Sequence, residues 1–268
     1  MFNKVLLGRY MPGDSWIHRL DARTKLIISI LFIFVIFFAS SVVGYGLATI
    51  FTLFVISLTG LGIGVFIRGV RPMLFLMLLT TALQIFFTTT GQTWVHWGII
   101  RITDDGVYNA IAIFVRFMLI ILFSTVLTLT TPPLEVADAM EALMRPLKKL
   151  GVPVAELALM LSIALRFVPT LMDEAEAIMN AQRARGVEFN EGSVVKRIRA
   201  FIPLLIPLFI NAIKRAIELG DAMEARGYRD SENRTKYRVL TWQLQDTLAM
   251  LGFAGFTVVL LVIRFVWG

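Results

Sequence analysis

The run Leu26 to Ile67, LIISILFIFVIFFASSVVGYGLATIFTLFVISLTGLGIGVFI, contains 42 residues and no charge. One helix of that length, rising about 1.5 Å per residue, would be roughly twice as long as a hydrocarbon core is thick, so the run must turn back once. The turn is expected at Ser40, Ser41, Gly44, Tyr45 and Gly46, where small residues and an interfacial tyrosine interrupt the apolar runs. That gives two membrane spans. Working outward, Arg68, Arg71 and Pro72 precede a third span from Met73 to about Thr90, and a loop with Trp94, Trp97, Arg101, Asp104 and Asp105 carries the aromatic belt of an interface. A fourth span runs from about Val107 to Leu129, and a fifth from Thr247 to Ile263, just before Arg264 and Trp267.

The whole composition agrees: of 268 residues 57% are hydrophobic and 17% charged, and the mean hydropathy is +0.76, which excludes an ordinary soluble enzyme. There is no cysteine, which excludes thiol redox chemistry and thiolate metal sites, and His18 and His96 are too few for a metal cage. Lys4, Arg9, Arg19, Arg23 and Lys25 stand before any long apolar run, and no short apolar stretch with a cleavage site follows the first methionine, so no cleaved signal peptide is expected.

The net charge is +7. Five Lys and Arg lie in the N-terminal segment, two at Arg68 and Arg71, and sixteen between Thr131 and Asp246, whereas the opposite side carries only Arg101 and Arg264. The positive-inside rule therefore places the N-terminus and the long segment in the cytoplasm and the C-terminus outside, as an odd number of crossings requires. Four regions result: a cytoplasmic segment 1–25, a membrane domain 26–130 with four spans, a cytoplasmic domain 131–246, and a last transmembrane helix in 247–268.

The region 131–246 holds 31 of the 45 charged residues, so function is sought there. Leu157 to Met172 and Ala200 to Ile213 are apolar but short, and Arg166, Pro169, Pro203 and Pro207 interrupt them. If both crossed, the loop between them would export Arg183, Arg185, Lys196, Arg197 and Arg199, which the charge rule opposes. Helical spacing is clear instead. Leu157, Leu161, Leu165, Val168, Met172, Ala175 and Met179 form one stripe, and Ile198, Ile202, Leu205, Phe209, Ala212, Ala216 and Leu219 another. Two long amphipathic arms are expected, Val154 to Gly186 and Val194 to Arg226, kinked at their prolines and lying in or under the interface. A shorter helix, Leu134 to Leu150, precedes them, with Thr131 placed to cap it and Gly151-Val152-Pro153 to end it.

Both arms end alike, in Ala184-Arg185-Gly186 and Ala225-Arg226-Gly227, 41 positions apart. One such end is the ordinary way to finish a helix, with glycine in a left-handed cap and a cation at the negative end of the dipole. Two at the ends of similar arms read as two copies of one device, an arginine fork able to grip a carboxylate on a dimeric or pseudo-dimeric partner such as an ATPase pair. No glycine is followed by lysine, so the chain has no P-loop of its own.

With these motifs the sequence resembles the transmembrane T component of energy-coupling factor (ECF) transporters. The resemblance is carried by Thr130-Thr131-Pro132-Pro133-Leu134-Glu135, Pro146-Leu147-Lys148-Lys149-Leu150-Gly151-Val152-Pro153, Arg166-Phe167-Val168-Pro169, Asp21-Ala22-Arg23-Thr24-Lys25-Leu26 and the two Ala-Arg-Gly ends. It implies a non-catalytic subunit of an ATP-driven vitamin or metal-ion importer in a prokaryotic cell membrane. It implies further that Arg185 and Arg226, with their flanking Ala184, Gly186, Ala225 and Gly227, dock on two ABC-type ATPases. Those subunits hold the ATP and Mg; this chain carries no cofactor and binds no nucleic acid. The apolar faces, represented by Leu157, Leu161, Leu165, Ile202, Leu205 and Phe209, would contact one or more small substrate-binding membrane subunits.

Other residues carry weaker signals. Arg116 falls near the middle of the fourth span, where it marks a functional site, a partnership with polar groups inside the bundle, or a displaced span boundary from which it snorkels. Gly60 and Gly64 are spaced for close helix approach, or mark a loop. Two rival functions are a self-contained secondary transporter, for which inverted repeats and a polar midplane cluster are expected, and an intramembrane enzyme, which needs catalytic groups in the spans. Neither signature is present in the sequence.

Overall fold

The computed structural model describes residues 10–88, 90–97, 100–189, 193–228 and 240–267; for residues 94–97, 100–102, 194 and 267 it describes the backbone. Lys4, Arg9 and the side chains of Trp94, His96, Trp97, Arg101 and Trp267 therefore lie outside the described residues. The contacts divide the chain into two units, one built from residues 8–139 and 240–268 and the other mainly from residues 140–239.

In the first unit, α1 (Ala22–Val35) is capped by Asp21, whose carboxylate accepts from the Arg23 amide, and continues as a 3-10 turn through Phe38. The Ser41 hydroxyl accepts from the Gly44 amide and starts α2 (Val42–Leu58). The turn is therefore Ala39 to Ser41, shorter than expected. Gly44, Tyr45 and Gly46 belong to the helix, because a serine N-cap satisfies a first-turn amide that would otherwise be left without a partner.

A larger correction concerns the next turn. Gly60 takes a left-handed φ of +68° just after α2, and α3 (Ile63–Val70) leads through a 3-10 turn at Arg71–Met73 into α4 (Leu74–Phe87). The third apolar stretch thus begins at Ile63, and Arg68, Arg71 and Pro72 lie inside it instead of before it. Arginine stems reach an interface from within the first turns of a span, which makes charge a poor marker of the turn itself. Gly60 is in the turn and a Cβ at Gly64 would meet nothing within 4 Å, so neither brings helices together. Gly69 does: a Cβ there would stand 3.2 Å from the Thr125 side chain on α5.

An antiparallel hairpin, β1 (Thr93–Trp97) with β2 (Ile100–Thr103), replaces the expected irregular loop. It leads into α5 (Asp104–Thr130), capped by the Thr103 hydroxyl, with Asp104 and Asp105 at the positive end of the helix dipole. The unit closes with α9 (Leu244–Trp267). Its core is a phenylalanine stack among α1, α2, α5 and α9: Phe32 lies 4.1 Å from Phe123 and Phe51 lies 4.2 Å from Phe256, ring centre to ring centre. Inside a bilayer this packing, not expulsion from water, holds helices together.

After α5, Thr131 does not cap the next helix; its hydroxyl is buried without a hydrogen-bond partner, and the Glu135 and Val136 amides bond the Pro132 carbonyl. This helix, α6 (Pro133–Met144), gives way to a 3-10 turn at Arg145–Leu150, since Pro146 removes an amide, and Gly151 ends it at φ +82°. The second unit is dominated by α7 (Val154–Ala184) and α8 (Val194–Ala225), of 31 and 32 residues. Both run as helix through their prolines, close to the expected length.

Five helical stretches among the described residues are long and apolar enough to cross a membrane: Ile63–Phe87, Asp104–Thr130, Val154–Ala184, Val195–Ala225 and Leu244–Val266. The chain is an all-α membrane protein with the expected number of such stretches, though not the same five. By length and composition α7 and α8 qualify, whereas α2, at 17 residues, sits at the short end of the spanning range of roughly 17–25 residues.

Candidate functional site

The two Ala-Arg-Gly ends are near-identical structures. Arg185 closes α7 at φ −86°, ψ 6°, and Arg226 closes α8 at φ −86°, ψ 8°; Gly186 and Gly227 follow at φ +83° and +78°. In each, the amide after the glycine reaches back to the helix, Val187 to the Gln182 carbonyl at 3.0 Å and Tyr228 to the Met223 carbonyl at 3.0 Å. The glycine amides bond the Arg183 and Glu224 carbonyls. This is the Schellman arrangement, and its left-handed position favours a residue without Cβ. All six residues of the two motifs are exposed. Among the described residues neither Arg185 nor Arg226 has an ion-pair or hydrogen-bond partner for its guanidinium.

The arms pack antiparallel. Glu174 accepts from the Asn211 side chain and lies 3.6 Å from the Arg215 guanidinium, which also stands over the Phe167 ring. Further along, Met179 packs with Leu204 and Phe189. The motif at the end of α7 and the motif at the end of α8 therefore lie at opposite ends of the pair, separated by roughly 40 Å of helix at 1.5 Å per residue.

Between these ends the apolar stripes are bare. Leu157 is 45% exposed, Leu161 37%, Ile202 48%, Leu205 57% and Phe209 67%, and Leu165 is half-buried. Among the described side chains of α8 only Leu204 is buried, and an open apolar groove of about 570 Å³ runs past Leu171, Leu205 and Phe209. Met140, Met160 and Met172 are exposed as well, while Met179 belongs to the core. A helix pair with so much exposed aliphatic surface is built to be covered.

Other constellations escaped the sequence reading. Asp246 is fully buried; its carboxylate accepts from the Asp21 amide and from the Gln243 amide, both at 2.8 Å, so it ties the starts of α1 and α9 together. Arg23 pairs with Asp21 at 2.7 Å and also reaches the Leu240 carbonyl. Lys25 donates to the carbonyls of His18 and Thr130. The Asp-Ala-Arg-Thr-Lys motif is thus a knot joining α1 to α9 and to the end of α5. Arg116 is also explained: it donates to the Tyr45 hydroxyl and the Ala39 carbonyl and lies 5.0 Å from the Phe37 ring centre, holding the turn between α1 and α2. No cluster of His, Asp or Glu able to hold a metal occurs among the described residues.

Residues 13–237 match the CbiQ family, described as cobalt transport protein. The energy-coupling factor transporter transmembrane protein EcfT of Lacticaseibacillus paracasei is 53% identical over 262 residues, covering 98% of this chain and 99% of that one. Its counterpart in Lactobacillus helveticus is 52% identical over 264 residues, covering 98% and 95%. That of Streptococcus thermophilus is 49% identical over 262 residues, covering 98% and 99%. The paired helix ends, the apolar helices and these relatives agree, and the chain belongs to the CbiQ family as a transmembrane component of energy-coupling factor transporters.

Proposed function

We propose that this chain is the coupling subunit of an ATP-driven vitamin or metal-ion importer, joining two ABC-type ATPases to one or more small substrate-binding membrane proteins. The observation that carries the reading is the duplication of one exposed cationic helix end, to within a few degrees of φ and ψ, at the two far ends of an antiparallel pair. Each guanidinium offers a planar fork of donors matched to a carboxylate, and each sits on a helix end stiffened by its cap. One end serves each ATPase. The subunit itself hydrolyses nothing; ATP and Mg belong to its partners.

Mechanically, closure of the ATPase pair draws the two ends toward each other, and the long helices transmit the displacement to whatever covers their apolar faces. Leu157, Leu161, Leu165, Ile202, Leu205 and Phe209 are the contacts assigned to the substrate-binding subunit. In this reading the chain spans a prokaryotic cell membrane, with the N-terminus and residues 131–246 cytoplasmic and the C-terminus outside. Arg185→Glu combined with Arg226→Glu is expected to abolish copurification of the ATPases while the chain still inserts in the membrane. Undiminished copurification would overturn the docking assignment.

A further inference from the structure

The first turns of α1 and α9 and the last turns of α2 and α5 enclose a crevice of about 530 Å³. Its deep end is the phenylalanine stack, where Phe51, Phe123 and Phe253 line it, and its walls are aliphatic, with Leu58, Leu127 and Leu248 among them. Room for it comes from α9: a Cβ at Gly252 would meet nothing within 4 Å. At the other end stand Trp16 and Lys25. The Lys25 side chain is almost wholly buried, and its ammonium has three N–H donors, of which two go to the His18 and Thr130 carbonyls. Three carboxylates bear on the ammonium, Glu135 most strongly; of the other two, Asp21 is paired with Arg23 and Asp246 takes two backbone amides.

We propose that this crevice holds one acyl chain of a phospholipid from the leaflet at that end of the bundle, with the lipid phosphate drawn to the Lys25 ammonium. The crevice is polarised as a phospholipid is: apolar toward the bilayer centre, with a cation and an indole where the headgroup region begins. Its volume falls in the range of roughly 300–1,000 Å³ typical of sites for small molecules. An apolar void does not retain water, and leaving it empty forfeits dispersion contacts along its whole lining. Basic pockets between transmembrane helices are a recurrent form of phospholipid site. The inference rests on α1, α2, α5 and α9 lying in the bilayer and is independent of ATPase docking.

The test uses the full chain in vesicles of phosphatidylethanolamine and phosphatidylglycerol, doped with a phosphatidylglycerol bearing a diazirine in one acyl chain. Crosslinks mapped by mass spectrometry are expected to concentrate on Phe54, Leu58, Leu127 and Leu248. Gly252→Trp, and separately Ala249→Leu, should each lower that labelling at least fivefold and leave labelling of the exposed Phe75 and Leu78 on α4 unchanged. Lys25→Met should lower labelling by the phospholipid but not by a diazirine fatty alcohol that lacks a phosphate. Crevice labelling no denser than at Phe75 and Leu78, or unmoved by either filling variant, would overturn the site; equal behaviour of the two probes toward Lys25→Met would overturn the phosphate contact.

Discussion

Asp246 sits 225 positions from Asp21, yet its carboxylate takes the Asp21 amide with one oxygen and the Gln243 amide with the other. It completes the caps of two helices at once, so removing it leaves a buried donor at Asp21 and a part-buried one at Gln243 without partners. Asp246→Ala should therefore lower stability by about 2–4 kcal/mol, read as a fall in Tm in detergent, and Asp246→Asn by less, since the amide keeps one acceptor. Equal Tm values for wild type and Asp246→Ala would contradict this role. Gly186 and Gly227 make a local prediction: alanine at either left-handed position should cost about 1 kcal/mol, measured as faster amide exchange in the last turn of that arm alone. The contrast explains what the sequence could show. A helix cap is written in consecutive residues, so both Ala-Arg-Gly ends were legible with their roles in the backbone. Nothing in local spacing links Asp21 to Asp246, or Arg116 to Tyr45, and those pairings emerge only from the fold.

At the scale of elements, the antiparallel packing of α7 on α8 decides where the two arginines stand. The chain has no cysteine, so introduced pairs report cleanly. Met179→Cys with Leu204→Cys, which share one buried cluster, should form a disulfide under mild oxidation; Met179→Cys with Leu205→Cys should not, because Leu205 points away from that cluster. The reverse result would place the arms in another register. Arm lengths were readable from the apolar period, and the helices run on through Pro169, Pro203 and Pro207, each of which removes one amide from the ladder. The start of the third apolar stretch was not readable: Ile63 to Ile67 and the run before it are equally uncharged, and only the left-handed Gly60 divides them.

At the scale of the whole molecule, the reading is that a membrane bundle carries a pair of bare helices as a lever between other subunits. The proposed orientation rests on the charge asymmetry. It predicts that Ser40→Cys reacts with a membrane-impermeant maleimide in intact cells, whereas Gly62→Cys and Ser193→Cys react only after permeabilisation. All three positions are exposed in the chain, so a reversed pattern would mean a reversed topology. The central claim, that this chain couples ATPases to a substrate-binding protein, is tested most directly by purifying the tagged chain in mild detergent from its own host and identifying what accompanies it by mass spectrometry. The account predicts two copies of ABC-type ATPase, identical or distinct, together with one or more small membrane proteins, and several of the latter if the subunit is shared. A chain that purifies alone and transports substrate in proteoliposomes without ATP would contradict it.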